Sequence, residues 1–218
     1  MSPVAHSTRK MPDAMTELVA LFGNPVRHTA SPRFQNAAMQ ALGVNAVYLA
    51  FEVTPDSFDT AFAGLLAMGA RGANFTVPHK QAAFRACDWC SPEARITEAV
   101  NTVRCENGNA RGYNTDAYGI AAALKDEGSS FSCARVVVLG AGGAARAIVA
   151  QAMLDGAAEV HVVNRTVAKA EELVVALLEN CRALDDAERP KALPRCQAHP
   201  YDELRDVLSE ADVLINAT

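Results

Sequence analysis

The stretch Val136-Val137-Val138-Leu139-Gly140-Ala141-Gly142-Gly143-Ala144-Ala145-Arg146 carries the most specific chemistry in this chain. A β-branched run enters a glycine-rich turn and a helix-forming run leaves it, the geometry that a dinucleotide pyrophosphate needs. Gly140 permits the tight turn, Gly142 lets backbone approach phosphate, and Ala145 fills the small-residue position where helix meets strand. The helix start then offers unpaired N–H groups and a positive dipole end to the anion. A glycine pattern alone is weak, but a second strand supports it. Glu159–Val163 ends in Asn164-Arg165-Thr166, about 20 residues after the glycines. An acidic residue there would accept hydrogen bonds from the ribose of NAD. A neutral Asn164, then a cation and a hydroxyl, suits a 2′-phosphate instead, so NADP is expected over NAD. The blander alternative is a βαβ unit with an incidental glycine turn.

Three polar clusters sit at expected strand ends in the first half. Thr29-Ala30-Ser31-Pro32 places two hydroxyls at a helix start, a setting that suits a substrate carboxylate. Ser31 as a plain N-cap is the competing reading. Asn74-Phe75-Thr76-Val77-Pro78-His79-Lys80 alternates polar and apolar side chains, so Asn74 and Thr76 share one face and Lys80 follows at the turn. A lone lysine is usually solvated. In a closed cleft its pKa would fall from about 10.4 towards neutral, which fits it for acid–base work. The third cluster joins Asn101, in Ala99-Val100-Asn101-Thr102, to Asp116, in Asn114-Thr115-Asp116. Asp116 is either the N-cap of its helix or a partner that stabilises a lysine cation and accepts a hydroxyl. His28 and His79 flank these clusters with no assigned role.

Composition bounds the function classes. At 218 residues the chain makes one large domain or two small ones; half of it is apolar and 21% is charged, which favours a packed core over disorder. A net charge of −5 and the lack of a basic stripe argue against nucleic acid as the main partner. No apolar run approaches roughly 18 residues, so no membrane span is expected. Residues 1–15 read as a loose tail with no signal-peptide character. The six scattered cysteines suggest reduced thiols in a cytoplasmic protein. Cys87 and Cys90 have the gap of a redox or zinc pair, but no second pair completes a metal site, and none is expected.

Elements follow from pattern. Leu18–Phe22, Val47–Val53 and Gly72–Val77 read as strands. Ser31-Pro32 opens a helix with serine as cap, and Thr54-Pro55 opens another that ends near Gly69. This alternation implies a parallel α/β sheet. A helix from Asp116 through Leu124 bridges two domains, and Gly128-Ser129-Ser130 reads as a linker. Beyond Thr166, residues 170–178 read as a helix, 185–190 as a solvated loop, 196–198 as a strand, 201–208 as a helix and 213–216 as a strand. The expected architecture is an α/β substrate domain over residues 16–116. A Rossmann-type, doubly wound NADP-binding domain follows over 117–218 and is incomplete at its C-terminal end, since ligands lie over the carboxyl ends of such strands.

Taken together, these motifs resemble the shikimate dehydrogenase family, from Phe22 to Thr218 and in the family order. Gly23-Asn24-Pro25-Val26-Arg27-His28-Thr29-Ala30-Ser31-Pro32 is similar to the opening substrate loop, and residues 74–80 to the catalytic-lysine segment. Residues 99–102 and 114–116 match the other substrate motifs. The glycine turn, Asn164-Arg165-Thr166 and Ile215-Asn216-Ala217-Thr218 match the NADP domain. The resemblance implies reversible NADP-dependent hydride transfer between shikimate and 3-dehydroshikimate, on the route to chorismate and the aromatic amino acids. Lys80 would transfer the proton with Asp116 as its partner. Thr29 and Ser31 would hold the carboxylate, with Asn74, Thr76 and Asn101 on the hydroxyl side. Gly140, Ala141, Gly142, Gly143, Ala144, Asn164 and Thr218 would line the nucleotide, with Arg165, Thr166 and Lys169 around its 2′-phosphate. A monomer or homodimer is expected.

Two departures stand out. The family usually has serine where this chain has Thr29, which narrows the carboxylate pocket and raises a quinate/shikimate dehydrogenase of broader specificity as an alternative. Family members also continue past the equivalent of Thr218. A chain ending there would keep weak adenosine-side binding with little turnover, and a non-catalytic binding module is the reading from outside enzymology.

Overall fold

The computed structural model describes residues 11–218, apart from the side chain of Ala117; most of the expected N-terminal tail lies outside the described residues. In chain order the elements are β1 (Glu17–Gly23), α1 (Ser31–Ala41), β2 (Ala46–Glu52), α2 (Phe58–Ala67), β3 (Gly72–Phe75), α3 (Lys80–Ala86), β4 (Trp89–Cys90), α4 (Pro92–Thr97), β5 (Thr102–Glu106) and β6 (Asn109–Tyr113). Then come α5 (Asp116–Asp126), β7 (Arg135–Leu139), α6 (Gly143–Leu154), β8 (Glu159–Val163), α7 (Val167–Arg182), β9 (Arg195–His199), α8 (Leu204–Leu208) and β10 (Val213–Asn216). Two compact units result. One runs through Asp88 and takes back Thr102–Arg111; the other comprises Trp89–Asn101 and Gly112–Thr218.

In the first unit β1 lies between β2 and β3 and pairs in parallel with both, while β5 joins β3 antiparallel. The sheet is therefore mixed, whereas alternation alone had suggested parallel strands throughout. β5 and β6 form a hairpin closed by Asn107-Gly108, both at positive φ (51° and 78°), the pairing that such tight turns favour. Phe22, Phe58, Phe62 and Phe75 fill the core, with ring centroids 5.6–5.8 Å apart along Phe22–Phe75–Phe58–Phe62. Each such ring contributes about 1.5–3 kcal/mol by leaving water. His79 belongs to this core: it stacks on Phe58 at 5.2 Å, and its Nε2 lies 2.7 Å from the Val53 carbonyl. The ordered polar partner allows a histidine to be 99% covered.

The second unit carries a four-stranded parallel sheet in the order β10-β7-β8-β9. Val136, Val137 and Val138 are wholly buried, as expected of a parallel strand covered on both faces. α6 packs its buried Ala145, Ile148, Val149 and Met153 into the same core. Ala145 is fully covered, which explains the small residue at this site. α7 is longer than its apolar face implied, because residues 179–182 continue the helix and bury Cys181. The 185–190 segment is a loop, but Arg95 draws it in through ion pairs with Glu188 and, at 3.5 Å, Asp185. Asn180 Nδ2 donates to the Ile96 carbonyl at 3.0 Å, meeting an end group that α4 leaves unpaired. The expected helix at 201–208 divides into a 3-10 turn, Tyr201–Glu203, followed by α8.

Candidate active site

The nucleotide motif forms a real concavity. Gly140, Ala141, Gly142, Asn164, Arg165, Thr166, Lys169, Tyr201, Ala217 and Thr218 enclose a cavity of about 630 Å³ in the second unit. Gly140 sits at φ +104°, and a Cβ there would stand 2.9 Å from the Ala217 carbonyl oxygen. Only glycine satisfies both constraints. A Cβ on Gly142 would instead project into open space, so the backbone at the start of α6 is uncovered on the side where a phosphate would approach. Gly143 and Ala144 form the first turn of that helix.

The second wall is electrostatic. Asn164 Nδ2 donates to the Thr166 carbonyl at 2.8 Å and folds the Asn164–Thr166 turn over the start of α7. α7 has no acidic residue in its first turn; Arg165 and Lys169 flank its N-terminus. Two cations at the positive end of a helix dipole oppose the usual preference, so an anion between them satisfies both. This donor set, with no carboxylate to meet a ribose 2′-hydroxyl, fits a 2′-phosphorylated dinucleotide. Tyr201 and Ala217 were not anticipated as lining residues. Tyr201 was legible as the residue just past a strand end; Ala217 lines the wall that Gly140 approaches.

In the first unit, Leu21, Asn24, Pro25, Val26, His28, Thr29, Ala30, Ser31, Thr76 and Val77 enclose a second cavity of about 570 Å³. The loops are held together by Asn24 N–H donating to the Val77 carbonyl at 3.1 Å. The Asn24–Pro25 and Val77–Pro78 peptide bonds are cis. Thr29 Oγ1 donates to Ser31 Oγ at 3.1 Å and accepts from Ser31 N–H at 3.2 Å, so the two hydroxyls form one small cluster. Ser31 is not the cap of α1. Ala30 takes that position and has no polar side-chain atom to cap with, while the Ser31 hydroxyl accepts from Thr29. Thr76 lines the cavity just beyond β3, which ends at Phe75, two residues earlier than the pattern suggested.

Asn74 does not line that cavity. Its Oδ1 accepts from Tyr48 at 2.9 Å and its Nδ2 donates to Thr102 at 2.9 Å. Burial pushes the Tyr48 phenol up to about 12, so it remains a donor. Lys80 opens α3 directly after the buried His79 and is half-buried. In the second unit, Asn101 Nδ2 donates to Asp116 Oδ1 at 2.6 Å, and Asn101 Oδ1 accepts from Thr115 N–H at 3.0 Å. Asn114 Oδ1 accepts from Asp116 N–H at 3.2 Å. Asn101 is thus 91% covered and committed to orienting Asp116, which stands exposed as the first residue of α5 behind Thr115. Sequence spacing alone could not show that commitment.

Comparison with known proteins agrees with this geometry. The family profile described as the shikimate dehydrogenase substrate binding domain matches residues 21–103, and that described as shikimate / quinate 5-dehydrogenase matches residues 122–218. The NADP(+) shikimate dehydrogenase of Alkaliphilus metalliredigens is 40% identical over 207 residues, covering 93% of this chain and 68% of that protein. The crystal structure of shikimate 5-dehydrogenase from Listeria monocytogenes, in complex with shikimate and NAD, gives a TM-score of 0.86 at 34% identity, over 96% of this chain and 71% of that one. Ligand-free 5-ketofructose reductase from a Gluconobacter strain gives 0.80 at 32% identity, over 94% and 70%. The chain belongs to the shikimate dehydrogenase family.

Proposed function

We propose that this chain catalyses the reversible NADP-dependent reduction of 3-dehydroshikimate to shikimate. The observation that carries the cofactor choice is the convergence of Asn164, Arg165, Thr166 and Lys169 on one cavity with no carboxylate among its lining residues. Family membership supplies the substrate class. Substrate-handling residues come from 16–116 and cofactor residues from 117–218.

Bound NADP would supply or accept the hydride. The chain's own residues then have separate duties. The Thr29–Ser31 hydroxyl pair holds the substrate carboxylate, and Thr76 meets a ring hydroxyl. Lys80 gives a proton to the carbonyl oxygen as it becomes a hydroxyl, and takes it back in the reverse direction. Asp116 accepts a hydrogen bond from a ring hydroxyl, with its carboxylate oriented by Asn101. Asn74, tied to Tyr48 and Thr102, fixes the strand that leads to Thr76. Initial rates with shikimate and quinate, each with NADP and with NAD, test the reading. It predicts the highest kcat/KM for shikimate with NADP. Saturable binding of both ligands without turnover would instead identify a binding module.

One observation favours a second reading. Thr29 lines the carboxylate-side cavity and carries one methyl group more than the family's usual serine, a change that bears on the choice between shikimate and quinate. Dominant quinate turnover in the same assay would establish it. The six cysteines are scattered along the chain, a pattern that supports a reducing, cytoplasmic setting.

A further inference from the structure

Four titratable side chains form a continuous hydrogen-bonded chain across the nucleotide unit. Glu159 Oε2 lies 2.9 Å from His161 Nε2, His161 Nδ1 lies 2.9 Å from His199 Nε2, and His199 Nδ1 lies 2.8 Å from Glu203 Oε2. His161 is 99% covered. The two rings stand 5.1 Å apart and are tilted by 31°.

Each of the three contacts along this chain needs one proton. The carboxylates only accept, so His161 Nε2 and His199 Nδ1 must each carry hydrogen. The remaining nitrogen-to-nitrogen contact needs one more. With both rings neutral, two lone pairs would face each other at 2.9 Å; with both charged, two N–H groups would collide. Three ring protons satisfy all three contacts, so the pair holds one positive charge. Burial pushes His161 below the ordinary histidine range, so the covered ring resists carrying that charge. The surrounding charges are Glu159 on β8, Arg135 on β7 at 3.5 Å from Glu159, Arg195 on β9, and Glu203 in the 3-10 turn. Arg135 is itself paired with Glu210.

This chain ends at the nucleotide cavity. His199 closes β9, and its carbonyl accepts from Asn164 N–H at 3.1 Å. Pro200 follows, then the turn Tyr201–Glu203, closed by Leu204 N–H donating to the Tyr201 carbonyl. The His199–Glu203 contact therefore fastens the turn to the strand, and Tyr201 within that turn lines the cavity beside Asn164 and Arg165. Tyr201 is partly exposed, at 38%, and so leaves ring surface that a flat apolar partner can cover.

We propose that Tyr201 packs against the adenine of the bound nucleotide, and that the proton shared by His161 and His199 holds its turn in place, so that cofactor affinity falls when that proton is lost. The proposal rests on the reading of this cavity as the NADP site. His199 is a positioning residue that acts through Glu203 on Tyr201.

Side-chain 15N spectra of the full chain at neutral pH should show one imidazolium and one neutral ring in the pair; two neutral rings overturn the proposal. NADP affinity, measured calorimetrically from about pH 6 to about pH 8.5, should weaken as pH rises through the histidine range. The 2′-phosphate titrates in the same window, so the decisive comparison is with Glu203→Gln, which keeps size but removes the charge that retains the proton. That variant should lose affinity at lower pH, by about one pH unit; superimposable profiles refute the linkage. Tyr201→Ala should weaken NADP binding about tenfold or more at every pH while Tyr201→Phe stays within about twofold. An unchanged Tyr201→Ala refutes the packing role. A wild-type chain that binds no NADP at any pH overturns the cavity assignment and the proposal with it, whereas tight binding with unaffected variants overturns the proposal alone.

Discussion

Gly140→Ala separates the structural from the ligand-facing role of the glycine turn. At φ +104° an alanine costs about 1–2 kcal/mol in backbone strain. Its Cβ would also stand 2.9 Å from the Ala217 carbonyl oxygen, a backbone atom that can retreat only by moving β10's exit. Such overpacking adds about 1–3 kcal/mol, for a total of about 2–5 kcal/mol. For a chain of this size that lowers Tm by about 4–20 °C. Gly142→Ala is the matched control. Its Cβ meets nothing within 4 Å and its φ is −91°, so only the poorer cap at α6 is felt, about 1 kcal/mol or less. Its cost should appear in NADP binding, because the methyl occupies the face left open to phosphate. Thermal melts followed by circular dichroism, with NADP titrations on both variants, check the pair. A Gly140→Ala protein that melts with the wild type, or a Gly142→Ala protein that melts as far below it as Gly140→Ala, would refute the reasoning.

Arg165→Ala removes one of the two cations at the start of α7 and should weaken NADP binding about 10–100-fold while NAD binding changes little, as competitive titrations would show. The Tyr48 phenol is held at about 12 by burial, above its ordinary value of about 10. A folded pKa raised in this way stabilises the native state fully below about pH 10 and is lost as pH rises through about 12. An ultraviolet phenolate titration should therefore show a late step, coincident with alkaline unfolding, that Tyr48→Phe abolishes. Thiol alkylation followed by mass spectrometry should label the exposed Cys133 first. Cys181, fully covered, and Cys196, whose thiol burial pushes up to about 12, should label last.

What the sequence made legible was what local pattern controls. The valine run of β7, the glycine turn and the Asn164–Thr166 segment all carry their geometry in consecutive residues, and the cavity gathers most of them. The β5–β6 hairpin went unread although Asn107-Gly108 is a strong turn signal and Thr102-Val103-Arg104-Cys105-Glu106 alternates polar and apolar residues, because each strand is only five residues long and carries little pattern of its own. The return of Trp89–Asn101 to the second unit depends on tertiary contacts such as Asn180 with Ile96, which no local spacing encodes. Asn101 and Asn74 were recognised as unusual polar residues, but their amides are spent on Asp116, Tyr48 and Thr102; partner choice is a property of the folded chain. The histidine pair was equally hidden: His161 and His199 are 38 residues apart and meet only because β8 and β9 are neighbours.

The central claim, that Lys80 moves the proton while NADP exchanges hydride with shikimate, is tested most directly by Lys80→Ala. Calorimetric titration with shikimate, set beside steady-state turnover with NADP, should show binding kept within about tenfold and kcat reduced about 10²–10⁴-fold. A variant that binds shikimate and turns it over at the wild-type rate would contradict the account.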